Sequence, residues 1–348
     1  MRPLSRRHLL AGLAALPLAG AAGAAPANGP PRKLRMLLNS GWSGANAWFV
    51  VAEDKGYFRD EGLEIDFTTG QGAYKAAPRM AAEGFDIGYG DINSLIEVAA
   101  ADPARAPTGV YMMFNASPSV IGVAADGPIR SPRDLEGKRL IGHPKDVAAE
   151  TFPPYARAAG IDTRTVTTVT RDASMADLIK AMRAGEVDGV FGYFTTQTAA
   201  AMSLGLDPAK MLRFLRYDAL LPDFYGSAVM ASPALLRASP ESVRGAVRAI
   251  NRGVIDTLSD PEAAVVEVMK RDTALNRDIE LARLRGTMAR EMAHPEGATI
   301  GIGDADERRL GRSIEAMVET KGLAQTPATN RIWTPVYLPP RSTRSRGQ

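Results

Sequence analysis

Cysteine is absent from this chain, and histidine is scarce. Of 348 residues none is cysteine and three are histidine, His8, His143 and His294, which lie far apart. The lack of cysteine excludes disulfides, a thiol nucleophile, thiolate metal sites and the acylated cysteine of a bacterial lipoprotein. The histidine spacing supplies no metal-ligand pair. The sequence therefore predicts a protein without a metal centre or cofactor.

Common catalytic motifs are also missing. The chain has no Gly-x-Ser-x-Gly elbow, no phosphate-cradling Walker loop and no His-x-x-x-His pair. No residue is therefore predicted to be catalytic, and a binding protein is expected rather than an enzyme.

The excess of positive charge is small and lies at the N-terminus. The chain has 42 Lys and Arg against 39 Asp and Glu. Without Arg2, Arg6 and Arg7 the 42 basic residues become 39, equal to the acidic residues. Neither nucleic acid nor an anionic membrane is therefore an expected partner. Arginines at 341, 344 and 346 follow two prolines, and residues 339–348 are predicted to be a flexible, solvated tail.

Residues 1–25 have the layout of a secretory signal peptide. Arginines precede a modestly apolar stretch at 9–19, and small residues follow it. This stretch is far shorter than the ~20 apolar residues of a membrane-spanning helix. Residues 5–10 resemble a twin-arginine export signal, the alternative being an ordinary signal that contains two arginines. We expect cleavage near Ala24 or Ala25 and a soluble protein in the periplasm.

Apolar runs suited to strands alternate with amphipathic segments along the rest of the chain. This pattern predicts an α/β protein with mainly parallel sheets. A turn-rich stretch at 126–138 precedes a new strand at 139–141 and indicates the start of a second lobe. From Pro240 onward the pattern is helical, with caps expected at Ser239, Asp260 and Asp304.

The most specific motif lies at 52–65, with the sequence AEDKGYFRDEGLEI. It resembles the A-x-x-K-G-Y-F-x-x-E-G-L-x-V segment of the NMT1/THI5-like family, periplasmic proteins that bind sulfonates, nitrate or thiamine-pyrimidine precursors. Asp86-Ile87-Gly88 and the segment 131–138 resemble further parts of that family. Gly56 and Gly62 suit a helix stop and a tight turn, so the motif is expected to build the fold without touching a ligand.

The resemblance implies a type II periplasmic binding protein fold, with two doubly wound lobes joined by two hinge strands. Lobe 1 is then discontinuous, 33–123 and 224–338, and lobe 2 is 124–223. The resemblance also implies a monomer that captures a small-molecule solute between its lobes and presents it to an inner-membrane ABC permease and its ATPase.

Ligands of open α/β sheets bind beyond the carboxyl ends of the strands. The loops after the predicted strands therefore supply the candidate site. The predicted ligand-binding residues are Trp42, Asn46, Tyr89, Asp91, Asn93, Asn115, Lys145, Tyr193, Asp223 and Tyr225.

These residues are rich in aromatic rings, amides and carboxylates but contain no arginine. A small heteroaromatic solute resembling a thiamine-pyrimidine precursor suits them, with Trp42 or Tyr193 stacking on its ring and Asp91 or Asp223 accepting from its N–H groups. Lys145 keeps an aromatic carboxylate, a sulfonate or nitrate open as alternatives. A pyrimidine-synthesising enzyme of the same family is a further alternative, but the cysteine-rich motif of that enzyme is absent here.

Overall fold

A computed structural model describes residues 30–344 and contains two five-stranded sheets. The predicted signal peptide and the last four residues of the predicted tail lie outside this range. The strands are β1 (Arg32–Leu37), β2 (Leu63–Thr68), β3 (Ile87–Asp91), β4 (Thr108–Met112), β5 (Ser119–Ala124), β6 (Arg139–Gly142), β7 (Thr167–Thr170), β8 (Gly189–Tyr193), β9 (Leu212–Arg216) and β10 (Ser227–Ala231).

Sixteen α-helices occur within the described residues. They are α1 (Ala47–Asp54), α2 (Tyr57–Asp60), α3 (Ala76–Glu83), α4 (Ile92–Ala101), α5 (Val147–Glu150), α6 (Phe152–Ala159), α7 (Met175–Arg183), α8 (Phe194–Ser203), α9 (Pro208–Met211), α10 (Pro233–Ala238), α11 (Pro240–Ser259), α12 (Pro261–Arg271), α13 (Arg277–Arg290), α14 (Glu296–Ile300), α15 (Glu307–Lys321) and α16 (Thr329–Ile332).

The two sheets follow the same plan. Lobe 1 has the order β2-β1-β3-β10-β4, and lobe 2 has the order β7-β6-β8-β5-β9. In each sheet the first three strands of this order run parallel to one another, and the fourth runs antiparallel to them. The fourth strand is β10 in lobe 1 and β5 in lobe 2. This arrangement confirms the predicted α/β fold of two doubly wound lobes.

The chain enters lobe 2 earlier than the sequence predicts. Strand β5 was expected in lobe 1, but it pairs with β8 and β9 of the second sheet. The crossing segments between the sheets are therefore 113–118 and 217–226. The turn-rich stretch that suggested a boundary at 124 is a connection inside lobe 2, between β5 and β6.

The 52–65 motif joins α1, α2 and β2. Gly56 has φ of 75° and Gly62 has φ of 68°, the left-handed conformation that glycine adopts without strain. Lys55 donates to Asp256 at 2.6 Å, and Glu61 accepts from the Arg248 guanidinium. The motif thus attaches the first helices to α11, in agreement with a role in the fold.

Residues 340–343 are exposed as predicted for a solvated tail, but Pro339 and Arg344 are buried, which corrects that prediction at these two positions. Arg344 is buried against lobe 1. Its guanidinium donates to the carbonyl oxygens of Pro339 at 2.9 Å and of Ile302 at 3.0 Å. The hydrogen bonds of Arg344 therefore hold the turn that follows the two prolines against lobe 1. None of the helices between residues 30 and 344 is long and apolar enough to cross a membrane.

Candidate functional site

Loops from both lobes meet at a cleft of about 550 Å³, a volume typical of small-molecule sites. The loops after β1 and β2 form the lobe 1 wall, and the loops after β6 and β7 with the start of α8 form the lobe 2 wall. These are the carboxyl ends of parallel strands, where ligands of such sheets bind. The polar residues that line the cleft are Asn39, Ser40, Gln71, Lys75, His143, Lys145, Asp146, Asp172, Tyr193 and Thr196.

Two lysines line the cleft from opposite lobes. Lys75 ends the short turn Ala73–Lys75 of lobe 1, and Lys145 lies between β6 and α5 of lobe 2. Lys145 has φ of 62°, a left-handed conformation that is uncommon for a residue with a side chain. Its ammonium pairs with Glu150 at 3.1 Å. Two ammonium groups on facing walls suit a solute that carries negative charge.

His143 also lines the cleft, where the charges of Asp172 and Lys75 act on its imidazole. Burial lowers the pKa of its imidazole, Asp172 opposes that change, and the positive charge of Lys75 adds to it. The imidazole is therefore neutral at neutral pH and offers one donor and one acceptor. Asp146 caps α5 by accepting from the Ala148 N–H at 2.9 Å, and burial raises its pKa to about 6.

Tyr193, at the end of β8, lines the cleft. Its ring packs on a small apolar cluster of Ala73, Tyr74 and Val147, which joins the lobes. Its hydroxyl donates across the lobe boundary to Asp91 Oδ2 at 3.4 Å, a long hydrogen bond. Burial raises the pKa of Asp91 to about 6, although its contacts with Asn93 oppose the change.

A second interlobe contact is ionic. Lys321 of α15 pairs with Glu97 of its own lobe and with Glu150 of lobe 2 at 2.8 Å. The Tyr74 hydroxyl donates to Glu97 at 2.6 Å. Burial opposes ionisation of Glu150, but Lys321 and Lys145 hold its pKa below the usual value. Glu150 therefore connects a lysine of the cleft with a lysine that joins the lobes.

Arg309 of α15 connects the two crossing segments. Its guanidinium donates to the carbonyl of Asn115 in the first segment at 2.6 Å, and to those of Pro222 at 2.8 Å and Phe224 at 3.2 Å in the second. Glu296 balances its charge at 2.9 Å. The hinge is thus held by one buried arginine that the sequence did not single out.

The structure brings three of the predicted ligand-binding residues to the cleft. Lys145 and Tyr193 line it, and Asp91 lies directly behind Tyr193. Asn93 is buried next to Asp91. Its side-chain amide donates to Asp91 Oδ1 at 2.9 Å and to the Tyr225 carbonyl at 3.1 Å. Tyr89 is fully buried beside the aromatic core of lobe 1.

Trp42 and Asn46 serve the loop after β1. The Trp42 ring packs edge-on against Phe67 at 5.6 Å and is not among the residues that line the cleft. Asn46 accepts from the Ser43 N–H at 3.0 Å and donates to the Gly41 carbonyl at 3.0 Å. Both the oxygen and the nitrogen of the Asn46 side chain therefore form hydrogen bonds within this loop.

Three further predicted residues belong to the hinge region instead of the cleft wall. Asn115 donates to Glu296 at 2.7 Å, and the Tyr225 hydroxyl donates to the same carboxylate at 3.0 Å. Asp223 forms a two-pronged ion pair with Arg312. Asn115 follows a predicted strand, and Asp223 and Tyr225 lie near the predicted return crossover; all three belong to the crossing segments.

Lys75, Gln71 and Asp172 line the cleft but were not among the predicted residues. For Gln71 and Asp172 the sequence did contain a signal, because the turn Gly70-Gln71-Gly72 follows β2 and Asp172 follows β7, where ligand-binding loops are expected. Lys75 was hidden because the helix was predicted to start at 74, whereas a short turn precedes α3 at Ala76.

A larger groove of about 840 Å³ lies on the outer face of lobe 1, between α1, β2 and α12. Its charges largely pair with one another, as in Lys55 with Asp256 and Arg271 with Glu53 at 2.8 Å. It involves one lobe only and lies apart from the strand ends, so the interlobe cleft is the better candidate site.

Comparison with known proteins identifies similar chains. The family described as NMT1/THI5 like matches residues 45–264. A 4-amino-5-hydroxymethyl-2-methylpyrimidine phosphate synthase from Aspergillus parasiticus is 24% identical over 295 residues, with 79% of this chain and 84% of that protein covered.

Solved structures with the same fold include two sulfonate-binding proteins. The periplasmic aliphatic sulphonate binding protein SsuA from Escherichia coli has a TM-score of 0.65 and 18% identity, with 88% of this chain and 99% of that chain covered. The alkanesulfonate-binding protein SsuA from Xanthomonas axonopodis pv. citri, bound to MOPS, has a TM-score of 0.66 and 15% identity, with the same coverage.

Proposed function

The chain belongs to the NMT1/THI5-like family, and we propose that it is the solute-binding component of an ABC importer. The observation that carries this proposal is the cleft, which is walled by both lobes while only two chain crossings and the packing between the lobes join them. Two lobes on a hinge can close around a small molecule and exclude water. The closed form would then be the one that a permease recognises.

The solute is an organic molecule with an anionic group. Lys75 and Lys145 face the cleft from opposite lobes, so an anion between them would draw the lobes together. The two similar solved structures are named as sulfonate-binding proteins, which supports a carboxylate or sulfonate. Tyr193 offers the ring face on which an aromatic body would pack.

A small amino-substituted heteroaromatic compound, such as a thiamine-pyrimidine precursor, is the second candidate. The favouring observation is the pair of Tyr193, which supplies a ring, and Asp91 behind it, which supplies an acceptor for N–H groups. The similarity to a pyrimidine phosphate synthase supports this chemistry. Of the two rings considered for stacking, Tyr193 lines the cleft and Trp42 is not among the described residues that do, which makes this candidate the weaker one.

Binding without turnover is the proposed activity. The nearest titratable groups of the cleft are a neutral imidazole, two lysines and two carboxylates, and no cysteine, serine–histidine pair or metal ligand set was found by motif. We further propose that the protein acts in the periplasm as a monomer after removal of its signal peptide, by the twin-arginine or the ordinary route.

A thermal-shift screen of the protein lacking residues 1–25 tests the proposal. The compounds are alkanesulfonates, taurine, aromatic carboxylates, nitrate, aminopyrimidines and thiamine. A solute that binds the folded state raises the melting temperature by mass action, and we expect shifts with organic anions first. Incubation of each binder followed by mass analysis should return it unchanged; product formation would contradict a binding role.

Two variants locate the site in the same screen. Lys75→Ala and Lys145→Ala should each weaken binding of an anionic solute about tenfold, because each removes a charge-assisted hydrogen bond worth about 1.5–3 kcal/mol. Lys210→Ala is the matched control, since that side chain is 84% exposed and distant from the cleft. Equal binding by all four proteins would place the solute elsewhere.

A further inference from the structure

Five polar side chains lie together between the lobes, directly behind the open cleft. Tyr89 and Asp91 come from β3, Ser227 from β10, Tyr193 from the end of β8 and Glu291 from the end of α13. All but Tyr193, which lines the cleft, are at most 2% exposed. We call these five residues the interlobe polar cluster.

Contacts and electrostatics show that the cluster is continuous. Ser227 pairs with Asp91 across β10 and β3, and its hydroxyl lies close to the phenols of both Tyr89 and Tyr193. Burial, together with the charges of Glu291 and Asp91, raises the pKa of Tyr89 far above its usual value. The Tyr89 phenol thus lies within electrostatic reach of both carboxyl groups.

Part of the hydrogen-bonding capacity in this cluster is unused. The hydroxyls of Tyr89 and Ser227 and the Oε2 atom of Glu291 have no hydrogen-bond partner within residues 30–344. Oε1 of Glu291 accepts only a long bond from the Thr195 hydroxyl at 3.2 Å. Buried polar groups in folded proteins are normally paired. Donors and acceptors here are therefore free for a polar group of a bound molecule.

We propose that the interlobe polar cluster is a second recognition subsite of the cleft, which binds an amine or the amino group of a ring on the solute. Asp91 and Glu291 accept from the N–H groups, and the Tyr89 and Ser227 hydroxyls complete the shell. This inference rests on the proposed function. It makes the solute bifunctional, with an acidic group at the two lysines and an amino group at the cluster.

The protonation of Glu291 follows from its surroundings. Burial raises its pKa to about 7, while the nearby hydroxyls of Thr287 and Thr195 and the charges of Arg283 and Arg290 oppose that rise. An ammonium group favours the ionised carboxylate, so binding of an ammonium at pH 6 should release protons to the solvent. An uncharged amino-substituted ring should release fewer.

Matched pairs of probes test the subsite. The pairs are taurine with ethanesulfonate, and 4-aminopyrimidine-5-carboxylate with pyrimidine-5-carboxylate, so only the amino group differs within each pair. Calorimetric titration should show the amino member of at least one pair binding about tenfold more tightly to the wild-type protein. Titration of taurine at pH 6 in two buffers of different ionisation enthalpy should show proton release.

Two variants assign the preference to the cluster. Glu291→Gln and Asp91→Asn should each reduce the tenfold preference to about threefold or less, whereas Glu241→Gln, at an exposed site of α11, should preserve it. Cooperative thermal unfolding would show that the variants fold. Equal wild-type affinity within each pair would overturn the subsite and leave the importer role standing, whereas a failure of every organic anion to bind would overturn both.

Discussion

Lys321 and Glu150 join the two lobes through an ion pair of 2.8 Å. Both side chains are largely shielded, with exposures of 17% and 20%. Because Glu150 also pairs with Lys145, the contact that holds the lobes together shares a carboxylate with the cleft. An anionic solute that draws Lys145 away from Glu150 would leave that carboxylate to Lys321 alone and would thereby favour the closed form.

Lys321→Met should therefore loosen closure. The variant keeps the aliphatic stem but loses the charge, and removal of one partner from a shielded pair leaves the carboxylates of Glu97 and Glu150 uncompensated. We expect the affinity for an identified solute to fall about tenfold and the radius of gyration from X-ray scattering to increase. Lys180→Met removes an exposed ion pair in lobe 2 and is the control. Wild-type values for both quantities in Lys321→Met would refute the coupling.

Arg309→Met should lower stability more than any surface substitution. The guanidinium is buried and donates to carbonyls in both crossing segments, so its loss leaves these carbonyls without that donor and Glu296 without its cationic partner. We expect a loss of about 3–5 kcal/mol in the free energy of unfolding. Urea denaturation measures it, and the exposed neighbour Arg308→Met should stay within about 0.5 kcal/mol of wild type.

Asp91, Asp146 and Glu291 should each contribute less stability as the pH rises from about 4 to 7. Burial raises the pKa of Asp91 and Asp146 to about 6 and that of Glu291 to about 7. Over this range each of these groups binds more protons in the folded state than in the unfolded state, so its contribution to the free energy of unfolding falls with rising pH, and the loss is complete above its folded pKa.

Glu291→Gln tests this pH dependence. At about 1.4 kcal/mol per pKa unit the Glu291 contribution amounts to roughly 3 kcal/mol. Removing the titrating group should flatten the profile of unfolding free energy between pH 4 and 7, as measured by urea denaturation. A variant with the wild-type slope would show that Glu291 ionises normally.

The order of strands and helices was predictable because local pattern determines it. Alternating apolar residues mark β2, and Asp91 and Asp260 cap α4 and α12 as predicted. The cap of α15 is Asp306 and not the predicted Asp304, a difference of two residues. The sheet to which each strand belongs was harder to predict. Strand β5 is apolar enough for either sheet, and its pairing with β8 and β9 places it in the second.

The site was predictable only as a set of loops. The rule that ligands lie beyond strand ends led to Lys145, Tyr193 and Asp91. The same rule also selected Asn115, because a strand that leads into a crossing segment has the same local sequence pattern as one that leads to the cleft, whereas Asp223 was selected for its place near the return crossover. Glu291 and Arg309 lie on C-terminal helices far away in sequence, where no local pattern indicates contact with the lobe boundary.

Tyr193 and Trp42 should behave in opposite ways when truncated. Tyr193 lines the cleft, and Tyr193→Ala should weaken solute binding by about 1–3 kcal/mol if its ring covers the solute. Trp42 packs against Phe67 within lobe 1, so Trp42→Leu should lower the melting temperature by a few degrees and leave affinity within about twofold of wild type. Calorimetric titration and thermal denaturation of both variants separate the two effects. A large affinity loss in Trp42→Leu would show that the loop after β1 reorganises on binding and brings that ring to the solute after all.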